Sequence, residues 1–240
     1  MKLTFLGTRG HINYSSDRHK RHTATLIEYQ GKRVMIDCGE DWLGRFQAYH
    51  PQAIMITHCH PDHAWGLKEG APCPVWASSE SWAAMQTYPV DDKKTVIPAQ
   101  PIEVQGMEFT YFPVEHSTRC PAGGYRISAG RVDIFYVPDV VSIKQRQAAL
   151  EGCKLYVGDG ATITRSMVRR SSGEPVGHTP LRTQLRWCQK EGVCRAVFTH
   201  LGSGVIKNGD KKSMDMIRPL ARECGVQVEL ASDGMEMIIR

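Results

Sequence analysis

The 240-residue sequence predicts a mixed α/β fold in which two β-sheets lie between layers of helices. Short segments rich in β-branched and apolar residues recur in both halves of the chain, as the strands of a layered protein do. Segments with the apolar spacing of amphipathic helices alternate with them. No internal repeat or low-complexity linker separates the halves, so we expect residues 1–240 to form one domain.

The first half of the chain begins with three predicted strands, and the turn Gln30-Gly31 would join the last two as a hairpin. A helix and a short buried strand follow, and a histidine-rich segment then leads to a further strand and helix. Ser78 or Ser79 is suited to cap that helix. The predicted strands cover residues 2–6, 23–29, 33–37, 53–56 and 75–77, and the predicted helices cover residues 41–49 and 79–87.

The second half continues this mixture of strands and helices as far as two terminal strands. Its strands are predicted from runs of apolar and β-branched residues, and its helices from longer segments with one apolar face. The predicted strands cover residues 107–114, 125–128, 132–137, 154–157, 195–199, 227–230 and 235–239, and the predicted helices cover residues 142–150, 180–191 and 212–224.

Composition excludes several classes of protein. No apolar run is long enough to span a bilayer, so we expect no membrane partner and a cytoplasmic location. The eight cysteines are scattered without a C-x-x-C pair, which argues against a disulfide scaffold and against a zinc site built from cysteines alone. The net charge of +5 suits an anionic substrate such as a phosphodiester, although many proteins without such a partner share it.

The strongest functional signal is the segment Thr57-His58-Cys59-His60-Pro61-Asp62-His63. It follows a short apolar strand, and alternation along an extended chain would place His58 and His60 on the same side, facing one metal ion. Asp62 and His63 follow where the chain turns toward a helix, and they could reach a second ion. Imidazole and carboxylate ligands suit zinc, and also manganese or iron.

Three further candidate ligands follow later predicted strands. These residues are His116, Asp139 and His200, and strand ends are where the sites of layered α/β proteins assemble. Two alternatives stay open on the residues alone: Asp139 could cap a helix starting near Val140, and His116 could make an ordinary hydrogen bond in a turn.

The segment HCHPDH is similar to the H-x-H-x-D-H signature of the metallo-β-lactamase superfamily, and Asp37 resembles that family's structural aspartate. The resemblance runs across nearly the whole chain, and it implies a four-layer αββα sandwich with two divalent metal ions at one edge of the sheets. Zinc is the expected metal and manganese the alternative. By this resemblance His58, His60 and His116 would hold one ion, Asp62, His63 and His200 would hold the other, and Asp139 would bridge them.

Other segments resemble the phosphodiesterase branch of that superfamily, which includes ribonuclease Z and the cyclic-phosphate phosphodiesterase of phosphonate breakdown. Those enzymes have a further histidine that acts at the scissile phosphate, and His178 stands in its place. Asp159, within Gly158 to Thr162, would orient it. The chain departs from both relatives, because it lacks the cysteine-rich zinc site of the phosphonate enzyme and has no space for the protruding arm of many ribonuclease Z enzymes.

We therefore expect a hydrolase that cleaves a small or cyclic phosphodiester with a metal-bridging hydroxide. Asp62 would accept or orient the proton of the attacking water, and His178 would stabilise the phosphoryl oxygen or protonate the leaving group. Three alternatives remain: a nuclease acting on single-stranded RNA or DNA, a lactone, thioester or ester hydrolase, and a non-catalytic metal-binding protein. Relatives of this kind also make a homodimer an expectation.

Two sets of side chains have no assigned role. The N-terminal histidines could hold a separate metal ion, but their irregular spacing favours loop residues, some of them near the substrate. The basic residues flanking the candidate site could contact a phosphate or sugar, or could lie on an ordinary surface. The first set is His11, His19 and His22, and the second is Arg165, Arg169, Arg182 and Lys207.

Overall fold

Two large β-sheets organise the computed structural model, which describes residues 1–240. The first sheet has the spatial order β17-β1-β2-β3-β4-β5-β6, and the second has the order β11-β8-β9-β10-β12-β15-β16, with β7 also paired to β8; β13 and β14 form a separate hairpin. In chain order the strands are β1 (Lys2–Gly7), β2 (Ala24–Tyr29), β3 (Lys32–Ile36), β4 (Ala53–Met55), β5 (Val75–Ala77), β6 (Lys93–Thr95), β7 (Pro101–Val104), β8 (Met107–Glu115), β9 (Ala122–Ala129), β10 (Val132–Tyr136), β11 (Ser142–Ile143), β12 (Leu155–Asp159), β13 (Arg169–Ser171), β14 (Glu174–Val176), β15 (Arg195–Thr199), β16 (Gln227–Leu230) and β17 (Met235–Ile238).

Six α-helices and three short 3-10 helices connect these strands. None of the helices is long and apolar enough to cross a membrane. The α-helices are α1 (Pro61–Ala64), α2 (Ser79–Ala84), α3 (Arg146–Leu150), α4 (Leu181–Lys190), α5 (Ser203–Asn208) and α6 (Asp210–Glu223), and the 3-10 helices are Glu40–Trp42, Phe46–Tyr49 and Trp65–Leu67.

Three apolar clusters define the layers of the fold. One fills the space between the two sheets, a second packs the outer face of the first sheet against the helices of residues 40–85, and a third packs the second sheet against α3 to α6. Strand alternation explains this division, because Ile134 and Tyr136 of β10 face the other sheet while Phe135 between them faces the helices. The expected αββα sandwich is confirmed.

Strand direction brings several chain segments to one edge of this sandwich. β10, β12 and β15 run parallel to one another, and β8 runs in the same direction because two antiparallel pairings separate it from β10. In the first sheet β3 and β4 are also parallel. The segments that follow β4, β8, β10 and β15 carry all the metal ligands expected from the sequence.

Local signals explain the hairpin and the helix cap. Gln30 and Gly31, between β2 and β3, both have positive φ angles, 48° and 76°, as the tight turn of a twisted hairpin requires. The hydroxyl of Ser78 accepts a hydrogen bond from the amide of Ser81 and so caps α2. Ser78 rather than Ser79 is therefore the cap.

Two predicted helices are wrong in part. In place of a helix over residues 41–49, two 3-10 turns stand on either side of Gly44, whose φ of 66° interrupts a helical path. Trp42 and Phe46 are both buried at a four-residue spacing, which produced the helical pattern. In the predicted helix over residues 142–150, the first two residues instead pair with β8 as β11, and the helix starts at Arg146.

Several short elements were not predicted. β6 and β13 are exposed along their whole lengths and so lack the apolar alternation of a half-buried strand. α5 contains Gly204 and is preceded and followed by glycines, so its helical propensity is low; burial of Val205 and Ile206 stabilises it instead.

Candidate metal centre

Three imidazole rings converge at the end of β4 and β8. Nε2 of His58 lies 2.9 Å from Nδ1 of His60, and Nε2 of His116 lies 3.3 Å from that same nitrogen. One nitrogen from each ring falls within 4.8 Å of the others, close enough for all three to share one cation. His58 and His60 face the same side, as their spacing predicts, and His60 has extended backbone angles.

A second group forms where the chain enters α1. Oδ2 of Asp62 lies 3.2 Å from Nε2 of His63 and 3.0 Å from Nε2 of His200. The three ligand atoms again fall within 4.8 Å of one another. Asp62 and His63 are adjacent on the single turn of α1, whereas His200 is brought in by the end of β15.

Asp139 lies between these two groups. Its Oδ2 is 2.6 Å from Nε2 of His63 and 3.8 Å from Nε2 of His58. Its Oδ1 is 3.2 Å from Nδ1 of His200 and 4.0 Å from Nε2 of His116. No helix starts near Val140, so Asp139 is not a helix cap.

The protonation preferences of these groups suit metal binding. Burial and the neighbouring imidazoles lower the pKa values of His58 and His60, the latter to about 4, and so favour neutral rings. Burial opposes ionisation of Asp62 and Asp139, yet the surrounding histidines outweigh it and hold both pKa values well below the usual range. Neutral imidazoles and ionised carboxylates are the forms that bind cations.

Unsatisfied polar atoms mark the centre of the cluster. Nε2 of His63, both carboxylate oxygens of Asp139 and Nδ1 of His200 are buried without a hydrogen bond of acceptable geometry, although short distances join some of them. Burial disfavours a charged His63 ring, but three flanking carboxylates raise its pKa well above the ordinary value. A cation coordinated at Nε2 would take the place of that proton, so the residues present fit a metal site.

Asp37 holds the ligand-bearing loop from behind. Its fully buried carboxylate accepts hydrogen bonds from the amide and hydroxyl of Thr57 and from Nδ1 of His63 at 2.8 Å. Its φ of 61° turns the chain sharply after β3, and this turn directs the carboxylate toward Thr57 and His63. Asp37 therefore fixes the orientation of His63, as carboxylates behind metal-binding histidines commonly do.

Two glycines allow the backbone to approach the ligands closely. A Cβ atom on Gly10 would lie 2.9 Å from the imidazole of His200, and a Cβ on Gly39 would lie 2.1 Å from the carbonyl oxygen of Asp62. Any side chain at either position would displace a candidate ligand.

His178 stands beside the cluster and outside both groups of candidate ligands described above. Its Nδ1 lies 2.8 Å from Oδ2 of Asp159 and 3.3 Å from Oδ1 of Asp139. Burial opposes protonation of the ring, but the carboxylates, Asp159 foremost, raise the pKa of His178 to about 9. A ring protonated on both nitrogens has Nε2–H free to donate to a substrate, because Nδ1 is engaged with Asp159.

A cavity of about 920 Å³ opens onto the cluster and is lined by His60, Asp62, Asp139, His178 and His200, among others. Among the four basic residues noted in the sequence, Arg165 and Arg169 line the cavity, while Arg182 and Lys207 do not. Arg119 also lines it and was not predicted from the sequence. The only sequence signal for Arg119 is its place three residues after His116.

The three N-terminal histidines have separate environments. His11 lines the cavity, which agrees with a loop residue near the substrate. His19 is buried between the hydroxyl of Thr8 and the carboxylate of Asp210, each 2.8 Å away. His22 is buried with its Nδ1 3.1 Å from Oδ2 of Asp41.

Comparisons with known proteins agree with this architecture. Residues 32–201 match the family described as beta-lactamase superfamily domain. A ribonuclease Z from Methanopyrus kandleri is 27% identical over 284 aligned positions, which cover 99% of this chain and 98% of that protein.

Solved structures with the same fold include two of similar extent. A diphosphatase from the PhnP family superposes with a TM-score of 0.70 at 19% identity and covers 100% of this chain and 98% of its own. The short form of human tRNase Z superposes with a TM-score of 0.69 at 18% identity and covers 100% of both chains. At these identities the likeness shows the fold alone.

Proposed function

The chain belongs to the beta-lactamase superfamily and is a metal-dependent hydrolase, and we propose that it cleaves a phosphodiester with two divalent metal ions. Residues 1–240 would act as one hydrolase domain. The names of its relatives support this proposal, since they include a ribonuclease Z and a PhnP-family diphosphatase.

The observation that carries the proposal is the pair formed by His178 and Asp159. Asp159 is fully buried and holds His178 next to Asp139, while 19% of the His178 side chain remains exposed to the cavity. A protonated imidazole at this position can neutralise negative charge on a phosphoryl oxygen or on a departing alkoxide. Ester and lactone hydrolysis develop less negative charge and gain less from such a residue.

Two groups of side chains would hold the metals. His58, His60 and His116 would bind one ion, Asp62, His63 and His200 the other, and Asp139 would bind both. Zinc is the proposed metal and manganese the alternative. When bound, the ions would supply Lewis acidity to the phosphoryl group and lower the pKa of water.

The protein side chains contribute positioning and proton transfer. Asp62, ionised and flanked by His63 and His200, would accept a hydrogen bond from the attacking water and so orient it. His178 would donate from Nε2 to the phosphoryl or leaving oxygen, a contribution of about 10²–10⁴-fold in rate. Asp159 would keep the donor aligned.

The test combines elemental analysis with an assay on bis(p-nitrophenyl) phosphate in the presence of zinc or manganese. We expect two metal ions per chain and turnover by the wild type, both reduced in Asp62→Ala. The matched control is Asp215→Ala. Asp215 is an exposed residue of α6 and is distant in sequence from the candidate metal ligands. Two bound ions without phosphodiester turnover, together with clear turnover of lactones or thioesters, would overturn the proposal.

A further inference from the structure

Three arginines line the cavity beyond the candidate metal ligands. Arg119, Arg165 and Arg169 are exposed, and none of their guanidinium groups forms an ion pair or donates a hydrogen bond within the chain. Several other arginines are paired with carboxylates, among them Arg9 with Asp41, Arg18 with Asp210, Arg126 with Asp133 and Arg146 with Glu191. Arginines on the outer surface, such as Arg182 and Arg186, are also unpaired, but only Arg119, Arg165 and Arg169 line the cavity. The cavity therefore carries positive charge that the protein leaves uncompensated.

The other residues that line the cavity do not neutralise these arginines. The only carboxylates in the lining are Asp62 and Asp139, both within the metal cluster. Hydroxyl groups such as those of Ser117, Thr118 and Ser166 add hydrogen-bond donors. No phenylalanine, tyrosine or tryptophan lines the cavity, whose aromatic rings are the imidazoles of His11, His60, His116, His178 and His200.

Backbone hydrogen bonds tie the arginines to the reacting centre. Arg165 precedes the β13–β14 hairpin and Arg169 is the first residue of β13. Between them, the amide of Met167 donates to the carbonyl of His178 at 3.1 Å. At the far end of the hairpin, the amide of Gly177 donates to the carbonyl of His116 at 2.8 Å. The backbone that carries Arg165 and Arg169 is thus anchored beside His116 and His178, and Arg119 follows His116 by three residues in the sequence.

We propose that Arg119, Arg165 and Arg169 form a second anion subsite, which binds a phosphate other than the one being cleaved. A planar guanidinium with five donors matches phosphate oxygens in a bidentate fashion. The cavity volume of about 920 Å³ leaves room for a ligand larger than one phosphodiester group. The substrate would then carry at least two phosphates, an inference that rests on the proposed phosphodiesterase function.

The kinetic test compares two substrates that differ by one phosphate. Thymidine 5′-(p-nitrophenyl phosphate) and its 3′-phosphorylated form share the scissile bond and leaving group. We expect the 3′-phosphate to raise kcat/KM of the wild type by about 10- to 100-fold, the effect of charge-assisted hydrogen bonds. In the triple variant Arg119→Ala, Arg165→Ala, Arg169→Ala, the ratio of the two kcat/KM values should fall close to one.

Arg170→Ala is the matched control. Arg170 lies on the same strand as Arg169, but its guanidinium donates to the carbonyl of Gly173 and does not line the cavity. This variant should keep the wild-type ratio. Thermal melting of each variant checks that folding is intact, which we expect because the three guanidinium groups make no ion pair or hydrogen bond within the chain.

A binding measurement separates failure of the subsite from failure of the proposed function. Calorimetry on the zinc-loaded protein compares thymidine 3′,5′-bisphosphate with thymidine 5′-monophosphate, and no turnover is needed. Tighter binding of the bisphosphate by the wild type alone supports the subsite even if neither ester is cleaved. An advantage that survives in the triple variant overturns the subsite even if both esters are cleaved, and so does equal binding of both nucleotides unless thymidine 5′-diphosphate binds more tightly than the monophosphate.

The same measurement distinguishes two sources of the second phosphate. In a nucleotide strand a sugar separates the phosphates, whereas in a diphosphate they share an oxygen. Tighter binding of thymidine 3′,5′-bisphosphate than of thymidine 5′-diphosphate assigns the subsite to a strand, and the reverse assigns it to a diphosphate. If neither binds more tightly than thymidine 5′-monophosphate, the subsite does not exist.

Discussion

Oδ2 of Asp159 accepts a hydrogen bond of 2.8 Å from Nδ1 of His178. The same oxygen accepts from the amide of Val140, and Oδ1 accepts from the amide of Ala161, so the carboxylate is fixed on both sides. Asp159 therefore holds the His178 imidazole through Nδ1, and the segments that follow β10 and β12 fix the position of its carboxylate.

This arrangement predicts that His178→Ala affects substrates according to their leaving group. A dinucleotide releases a sugar alkoxide that needs a proton, whereas p-nitrophenolate leaves without one. We expect kcat to fall by about 10²–10⁴-fold on a dinucleotide and by much less on bis(p-nitrophenyl) phosphate. Asp159→Asn should show the same pattern more weakly. Equal losses on both substrates would contradict a proton-donating role.

Asp37→Asn should weaken metal binding without touching a ligand. The amide of asparagine has one acceptor atom, so it cannot accept from both Thr57 and His63 as the carboxylate does. We expect about 10- to 100-fold lower affinity for one of the two ions, measured by titration with a metallochromic chelator. Asp92→Asn, at an exposed aspartate, should leave both affinities unchanged.

Gly10→Ala should displace His200, because the new Cβ would lie 2.9 Å from its imidazole. We expect the variant to retain fewer metal ions after dialysis than the wild type, while its far-ultraviolet circular dichroism stays the same. Gly204→Ala is the control, since a Cβ at that helical position meets nothing within 4 Å. Unchanged metal content in Gly10→Ala would show that His200 does not need its observed position.

The contact between His19 and Asp210 makes a pH-dependent contribution to stability. Burial opposes ionisation of Asp210, but hydrogen bonds from His19 and Arg18 outweigh it and lower the pKa of the carboxyl. A depressed pKa gives stability that is complete above the unfolded value of about 3.9 and is lost as the pH falls through the folded value. Asp210→Asn should therefore lower Tm by about 2–4 °C at pH 7, and the difference should shrink below about pH 3.9.

Thermal melting of both proteins from pH 3 to pH 7 provides this check. Asp215→Asn serves as the comparison on the same helix, because its ion pair with Arg218 is exposed and should contribute little. A Tm difference for Asp210→Asn that persists unchanged at pH 3 would contradict an electrostatic origin.

Sequence patterns predicted most of the sandwich because its long strands are buried on alternating faces. Boundaries of β15 and β16 match the prediction, and each of these strands carries apolar residues that bury against a neighbour. The helix expected over residues 41–49 failed because burial of Trp42 and Phe46 mimics a helical stripe, while a positive φ at Gly44 breaks it. The spacing of apolar residues predicts which side chains are buried, but it does not predict the backbone angles between them.

The residues of the candidate site also include some that the sequence predicted and one that it did not. His58 to His63 form a compact local signature, so their convergence could be predicted from spacing. The pairing of Asp159 with His178 was expected from a resemblance, and the structure brings the two within hydrogen-bond distance. Arg119 was missed because nothing local distinguishes an exposed arginine in a loop from one that faces a cavity. Only the folded path of the segment after β8 decides that.

The pairing of β1 with β17 has a consequence for how the chain reaches its native state. Phe5 lies opposite Met235, so neighbouring strands of one sheet are separated by almost the whole sequence. During synthesis the edge of β1 that pairs with β17 stays unpaired until residues 235–238 have emerged from the ribosome. Contacts between such distant residues slow folding, and an open edge in the interval is a point at which chaperones or other nascent chains can bind.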